Sequence, residues 1–183
     1  KNWDTDMASD RRVSIGDWAE NSQKIWFCAM DRNEICEIDK NGHNIRVIGG
    51  FPNECFLEEK LSISSIFADD KVFFLPYNAR HIAIYDVLDD DLFFCSLPCN
   101  RGKANFFRAC VINNKILLFG LSYPGILALD MYSYEIKSID TWIEYVDKKA
   151  CRSGVRITDG YSIYGENVFL PLGNCNGLLM INY

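Results

Sequence analysis

The sequence predicts an all-β fold, a β-propeller of about four four-stranded blades, and three observations carry that prediction. The first is repetition. Lys24 to Asp39 (KIWFCAMDRNEICEID), Lys71 to Asp86 (KVFFLPYNARHIAIYD), Lys115 to Asp130 (KILLFGLSYPGILALD) and Asn167 to Asn182 (NVFLPLGNCNGLLMIN) share one pattern. Each opens on a polar residue and an apolar run, passes through a polar or Gly/Pro-containing turn, and closes on a second apolar run ending in Asp or Asn. Opening and closing residues lie fifteen positions apart in every copy, and the starts are separated by 47, 44 and 52 residues, in the range of solenoid and propeller repeats. The second is composition: 14% aromatic residues, together with many β-branched ones, favour strands. The third is the runs Val72 to Leu75 and Ile116 to Phe119, continuously apolar as befits strands covered on both faces. Length alone allows one or two domains in 183 residues; repetition makes them one array.

Taken in order, residues 1–17 carry the last strand of a preceding or closing blade, because RRVSIGDW (Arg11 to Trp18) resembles EIKSIDTW (Glu135 to Trp142). The first blade, 18–51, has a weak inner strand near Trp18 and Ala19, then Lys24 to Ala29, Glu34 to Asp39 and Ile45 to Ile48. Asn41-Gly42 between apolar runs predicts a type I′ hairpin turn. The second blade, 61–97, runs Leu61 to Ala68, Val72 to Leu75, Ile82 to Val87 and Leu92 to Leu97. The third, 106–142, runs Phe107 to Ile112, Ile116 to Leu121, Ile126 to Met131 and Ile136 to Ile139, and a short helix fits Asp140 to Arg152. The fourth, 152–183, has Val155 to Tyr164, Val168 to Leu172 and Leu178 to Ile181 and lacks its fourth strand.

The formal charge of −6 and pI near 4.9 argue against a nucleic-acid partner, since phosphate neutralisation needs a basic surface. No apolar run reaches membrane-spanning length. Of eight cysteines, Cys28, Cys36, Cys95 and Cys110 fall inside apolar runs and read as buried free thiols, which fits a reducing cytoplasm. Cys95 and Cys99 are spaced like half a metal site without a second half, and no phosphate-cradling or nucleophile-elbow motif occurs. No metal or cofactor is therefore expected. His43, beside the Asn-Gly turn, and His81, at the foot of a strand, read as structural or solvent-exposed.

The pattern KILLFG…ILALD…SIDTW, and likewise KVFFLP…IAIYD…LFFCSLP, resembles the kelch-like β-propeller repeats: an apolar strand ending in Gly, a variable loop, a strand ending in Tyr-Asp or Leu-Asp, then an aromatic residue before the next connection. The resemblance covers nearly the whole chain. The Gly pair of typical kelch repeats is reduced here to Gly120 and replaced elsewhere by Leu75-Pro76, Ala29-Met30 and Leu172-Gly173. The resemblance implies a binding scaffold more often than an enzyme.

In a four-stranded meander the first-to-second and third-to-fourth connections emerge at one face, and these are tight turns here. The opposite face carries the longer connections and the blade linkers, where binding residues concentrate. It also collects cations, among them Arg32, Arg80, Arg101, Arg108 and Arg152. A ring of Arg can hold carboxylates or phosphates; the alternative has each Arg paired with a nearby carboxylate, tying blades together. The candidate ligand-binding residues are Tyr77, Asn78, Arg80, His81, Arg101, Arg108, Tyr123 and Arg152. The leading reading is a non-enzymatic scaffold that takes a protein or peptide, or a small anionic ligand, on this face. The alternative is a propeller enzyme, a lyase or glycoside-acting protein, in which Arg80, Arg101 and Arg108 hold an anion and Tyr77 or His81 moves protons. That enzyme requires Tyr77, Arg80 and Arg108 to converge without carboxylate partners.

The two chain ends read as complementary: Val13 to Ile15 matches an outer strand, and the last repeat lacks one. Either a four-bladed ring closes with Val13 to Ile15 beside Leu178 to Ile181, or the chain is about half of a larger ring completed by further blades or a second copy. The reading leans to the larger ring, since kelch-like rings usually have more blades. The start at Lys1 rather than Met agrees with an N-terminus, and any targeting signal in it, lying upstream.

Overall fold

The fifteen-residue spacing of the repeat is a strand register. In the computed structural model, which describes residues 15–42, 44–53, 60–98, 105–121, 123, 125–145, 157, 160–173 and 177–183, Lys24 stands opposite Asp39, Lys71 opposite Asp86, Lys115 opposite Asp130 and Asn167 opposite Asn182. The opening and closing residues of each repeat are cross-strand partners in an antiparallel hairpin. Lys115 and Lys71 form ion pairs with Asp130 and Asp86, and Asn182 donates to Asn167 Oδ1 at 3.1 Å. Lys24 turns instead to Glu37, at 2.9 Å. The closing Asp has a second task, accepting from the backbone of the turn that follows. Asp39 Oδ1 takes Asn41 and Gly42 N–H, Asp86 Oδ1 takes Leu88 and Asp89, and Asp130 Oδ1 takes Tyr132 and Ser133.

Four antiparallel sheets result. The first blade is β1 (Ala19–Glu20), β2 (Lys24–Cys28), β3 (Ile35–Asp39) and β4 (Ile45–Gly49). The second is β5 (Ser62–Ala68), β6 (Lys71–Pro76), β7 (His81–Asp86) and β8 (Asp91–Ser96). The third is β9 (Phe106–Ile112), β10 (Lys115–Gly120), β11 (Ile126–Asp130) and β12 (Ile136–Ile139). The fourth has three strands among the described residues, β13 (Ser162–Tyr164), β14 (Asn167–Leu172) and β15 (Gly177–Asn182). The sheets are sequential meanders, so this is an all-β propeller.

Among the described residues the core is three layers, each squeezed between consecutive blades. Trp26, Cys28 and Ile35 of the first blade meet Val72, Phe74 and Tyr85 of the second. Phe73, Leu75 and Ile84 of the second meet Ile116, Leu118 and Leu129 of the third. Leu117, Phe119 and Ala128 of the third meet Val168, Leu170 and Ile181 of the fourth. Alternate residues of one strand thus serve two different cores, which is why β6 and β10 read as unbroken apolar runs. Cys28, Cys36 and Cys110 are buried free thiols, and Cys95 is half-buried.

Some expectations change. Neither Asn41 nor Gly42 has positive φ; Asp39 caps a wider turn there and removes the need for a type I′ geometry. That geometry appears at Asp69 and Asp70, whose φ values are 50° and 56°. The helix expected in 140–152 is a 3-10 turn, Thr141–Tyr145. At the N-terminal end, Ile15 bridges Ala29 in line with β1, the inner edge of the first blade, instead of lying beside β15. Val13, Ser14 and the rest of 1–14 lie outside the described residues.

Candidate functional site

Every inner strand slips register at the same level. In β5 the slip falls between Ser62 and Ser64, and in β9 between Phe119 and Gly120 on its partner strand, leaving Ile63 and Phe107 as the extra residues. In the first blade, residues 16–18 between the Ile15–Ala29 and Ala19–Trp26 pairs stand opposite only Phe27 and Cys28. In the fourth, the inner side holds two more residues than β14 does between the Ile157–Leu172 and Ser162–Phe169 pairs, with Gly160 and Tyr161 among them. Bulges re-aim side chains and sharpen twist. These four lie toward the face of the long connections and surround one cavity.

That cavity has a volume of about 480 Å³ and is lined by Asp17, Ser64, Ser65, Ile66, Leu75, Arg108, Ala109, Gly160 and Tyr161, so all four blades contribute. Gly16 sets Asp17 in place: a Cβ there would stand 2.2 Å from the carbonyl oxygen of Ile63. The bulge turns that carbonyl outward, where it accepts the Asp17 N–H at 2.8 Å. Arg108, the first residue after the β9 bulge, donates to and ion-pairs with Asp17. The pair joins the first and third blades, with the two side chains 40% and 48% exposed. Tyr161 closes the wall, its ring 5.5 Å from that of Phe119. Burial pushes its phenol up from the ordinary range, which keeps the hydroxyl protonated.

The other sequence-predicted site residues are distributed differently. Tyr77 and Asn78 are half-buried and Arg80 is exposed, all on the β6–β7 connection. Tyr77, Asn78 and Ala79 N–H converge on the Leu61 carbonyl at 2.8, 3.2 and 3.2 Å, which pins this connection to the chain entering β5. His81 opens β7 with its ring edge-on to Phe94 at 6.4 Å. Tyr123, a candidate ligand-binding residue, is 7% exposed, packs on Phe106 at 5.1 Å in the core between the second and third blades, and lies 3.4 Å from Ser138 Oγ through its hydroxyl. A ring of that area gains more by wedging two blades than by facing water. Arg101 and Arg152 lie outside the described residues. Among the described predicted residues Arg108 alone lines the cavity; Tyr77 and Arg80 are not on its wall, and Arg108 has a carboxylate partner. The convergence that the enzyme reading needed is absent at these three residues.

Asp17, Ser64, Ser65 and Tyr161 escaped the sequence reading. The available signal was the small and polar run Ser62-Ile63-Ser64-Ser65 in a segment otherwise patterned as a strand. A second polar cluster sits toward the tight-turn face between the first two blades. Arg46 donates to both Asp90 oxygens at 2.8 and 2.9 Å and to Tyr85 Oη at 2.7 Å, while buried Glu37 accepts from Trp26 Nε1 at 2.9 Å. Arg46, then Tyr85, holds the Asp90 carboxyl well below the usual carboxylate range. Its groups are mutually satisfied, which makes it a tie between blades. No group of His, Cys, Asp and Glu suited to a metal ion occurs among the described residues, and no helix there is long and apolar enough to cross a membrane.

No family model matches the chain, and no curated protein sequence matches it. Solved structures match in fold. The computationally designed Ika4 protein is 11% identical with a TM-score of 0.61, over 94% of this chain and 93% of that one. The extracellular domain of the putative hybrid two-component system BT4673 from B. thetaiotaomicron is 13% identical with a TM-score of 0.63, over 96% of this chain but 22% of that one. A chain in the S. cerevisiae complex of Dbp5 bound to Nup159, Gle1, IP6 and ADP is 11% identical with a TM-score of 0.54, over 93% of this chain and 41% of that one. The chain thus spans less than half of the latter two. At such identities the likeness speaks for architecture alone, and with the four sequential meanders it makes the fold a β-propeller.

Proposed function

We propose that the chain is a non-enzymatic, kelch-like propeller scaffold that binds a protein or peptide partner through the face of its long connections. The observation that carries this reading is the pinned β6–β7 connection. Three backbone N–H groups on one carbonyl fix the segment that presents Tyr77, Asn78 and exposed Arg80, and a preordered loop loses little entropy on binding. Tyr and Arg are the residue types that dominate interface energetics. The opposite face offers tight turns whose carboxylates are occupied by their own backbone. The kelch-like likeness is supported by the repeat itself, whose KILLFG, ILALD and SIDTW segments are the second, third and fourth strands of one blade with a 3-10 turn at the aromatic. The solved complex of Dbp5 bound to Nup159 and Gle1 makes a protein partner a reasonable assignment for this architecture. A reducing compartment, and so the cytoplasm, is the proposed location, supported by the free thiols of Cys28, Cys36, Cys95 and Cys110.

The test is affinity capture with the intact chain, a Tyr77→Ala/Arg80→Ala variant and, on the tight-turn face, Leu88→Ala, whose side chain is exposed. A partner held by the native chain and by Leu88→Ala and lost from the double variant is the expected result. A partner lost only from Leu88→Ala would place the interface on the wrong face and overturn the proposal.

A further inference from the structure

Each blade has two sheet faces, and the repeat shows which of them meet a neighbour. Counted from the opening residue of its repeat, Leu178 stands where Ile35, Ile82 and Ile126 stand in the first three blades, all fully buried against the following blade. Met180 corresponds in the same way to Ile84 and Ala128, which are also buried there. In the fourth blade Leu178 is 63% and Met180 58% exposed, and Phe169 beside Met180 is half-buried. The other half of such a junction is left over on the first blade. Ile45 and Val47 correspond to Leu92 and Phe94, which pack into the core between the first two blades, but are themselves 39% and 54% exposed. We infer that the chain pairs with a second copy of itself, the fourth blade of each seated on the first blade of the other, closing one ring of eight blades, four from each copy.

Continuity with the junctions already made names the occupant. Among the described residues, first meets second, second meets third and third meets fourth blade through the same alternation, and no core joins the fourth blade to the first. The two faces left over are the two halves of one more junction of that kind. A second copy supplies both halves at once, which an unrelated partner on either face would not. The contact is heterologous, and a heterologous contact closes into a ring when its rotation divides a full turn; eight blades lie within the range of propellers. Side-chain direction agrees on both sides. On β15, Ile181 enters the core with the third blade, so Leu178 and Met180, of opposite parity, face away from it. On β4, Arg46 turns to Tyr85 and Asp90 of the second blade, so Ile45 and Val47, opposite Ile38 and Cys36, face away from that blade. Cys36 and Phe27 at the centre of this first-blade face are buried, whereas Ile38 is half-buried. The junction therefore runs along the outer strip, β15 of one copy against β4 of the other. Interfaces of permanent homodimers have this character, a domain core cut in half. The inference concerns sheet faces and does not depend on the partner proposed for the long connections.

The experiment is sedimentation velocity with native mass spectrometry on the intact chain over a concentration series. The expected species has twice the chain mass of 21.0 kDa and grows no further. A single-chain mass throughout, or a mass that climbs past two chains with concentration, overturns the inference. Met180→Lys on β15 and Val47→Glu on β4 should each raise the dissociation constant tenfold or more, while Leu88→Glu, on an exposed tight turn, leaves it unchanged. Mixed in equal amounts, the Met180→Lys and Val47→Glu chains should associate more tightly than either does alone, because one junction of the mixed ring is native and the other sets Lys against Glu. Dissociation by Met180→Lys with Val47→Glu still paired would mean that fourth blades meet each other, and the inference falls. Amide exchange of the native chain needs no substitution: on dilution, Leu178 to Met180 and Ile45 to Val47 should lose protection together, and loss at one segment alone overturns the proposed junction.

Discussion

Leu118→Ala should be a costly truncation, and the structure says why. Leu118 lies in the middle of β10, fully buried, paired with Leu127 on one side and Ala109 on the other, in the core between the second and third blades. Truncation removes the equivalent of three buried carbons, about 2.4 kcal/mol at about 0.8 kcal/mol each. The neighbours that would have to collapse into the space, Phe73, Leu75 and Ile116, sit on strands locked by ladder hydrogen bonds on both sides, so a cavity persists. The total is then about 2–5 kcal/mol, the range of such substitutions, and each kcal/mol moves the melting midpoint of a chain this size by about 2–4 °C. Urea unfolding followed by tryptophan fluorescence measures it, with Tyr164→Ala, whose side chain is 79% exposed, as a control expected within about 0.5 kcal/mol of the native chain. A Leu118→Ala midpoint and slope indistinguishable from the control would show that the two blades do not pack through β10.

Two other outcomes follow from single contacts. Gly16→Ala puts a Cβ 2.2 Å from the Ile63 carbonyl oxygen, so the approach segment must lift off β5; a cost of about 1–3 kcal/mol is expected, along with loss of the Asp17–Arg108 pair, and an unchanged midpoint would argue against this close approach. Lys115, then the N–H groups of Ser133 and Tyr132, hold the Asp130 carboxyl well below its ordinary range. A group depressed on folding contributes stability that is present above the unfolded pKa of about 3.9 and is lost as pH falls through the folded value. Asp130→Asn should therefore differ most from the native chain near neutrality and converge with it in acid. Parallel stability curves down to low pH would contradict the pairing.

The blades were legible because hairpin register leaves a trace at a fixed separation. Lys71 and Asp86, or Lys115 and Asp130, recur fifteen positions apart because they face each other across a hairpin, and the Asp is retained at that spot by a local backbone task as well. Burial of both faces of β6 and β10 followed from the unbroken apolar runs, since the second and third blades each sit between two others. The Asn41-Gly42 turn misled for a physical reason: a carboxylate just upstream can close the turn through side-chain acceptance, so the glycine is not needed for positive φ. Ile15 misled because RRVSIGDW and EIKSIDTW share a pattern of strand followed by Asp and Trp that suits an inner edge as well as an outer one.

The candidate site was the least legible part, and the inner strands explain it. A residue's face in a strand is read from alternation, and one inserted residue reverses alternation for everything beyond it. Arg108 would occupy one face of β9 if the strand were regular from Phe106 to Ile112; the slip at Phe107 re-sets which residue points to the channel. The same applies to Ser64 after Ile63 and to Asp17 within 16–18. Pattern reading therefore performs best on the second and third strands of each blade, which are regular, and worst where the irregularity itself builds the cavity. The only sequence signs of these slips are indirect: a glycine before Asp17, small serines at Ser64 and Ser65, and a glycine before Tyr161. At Gly16 the backbone of the approach segment crowds that of β5, and the slips, falling at one level in the first three blades, bring a carboxylate of the first blade within reach of a guanidinium of the third.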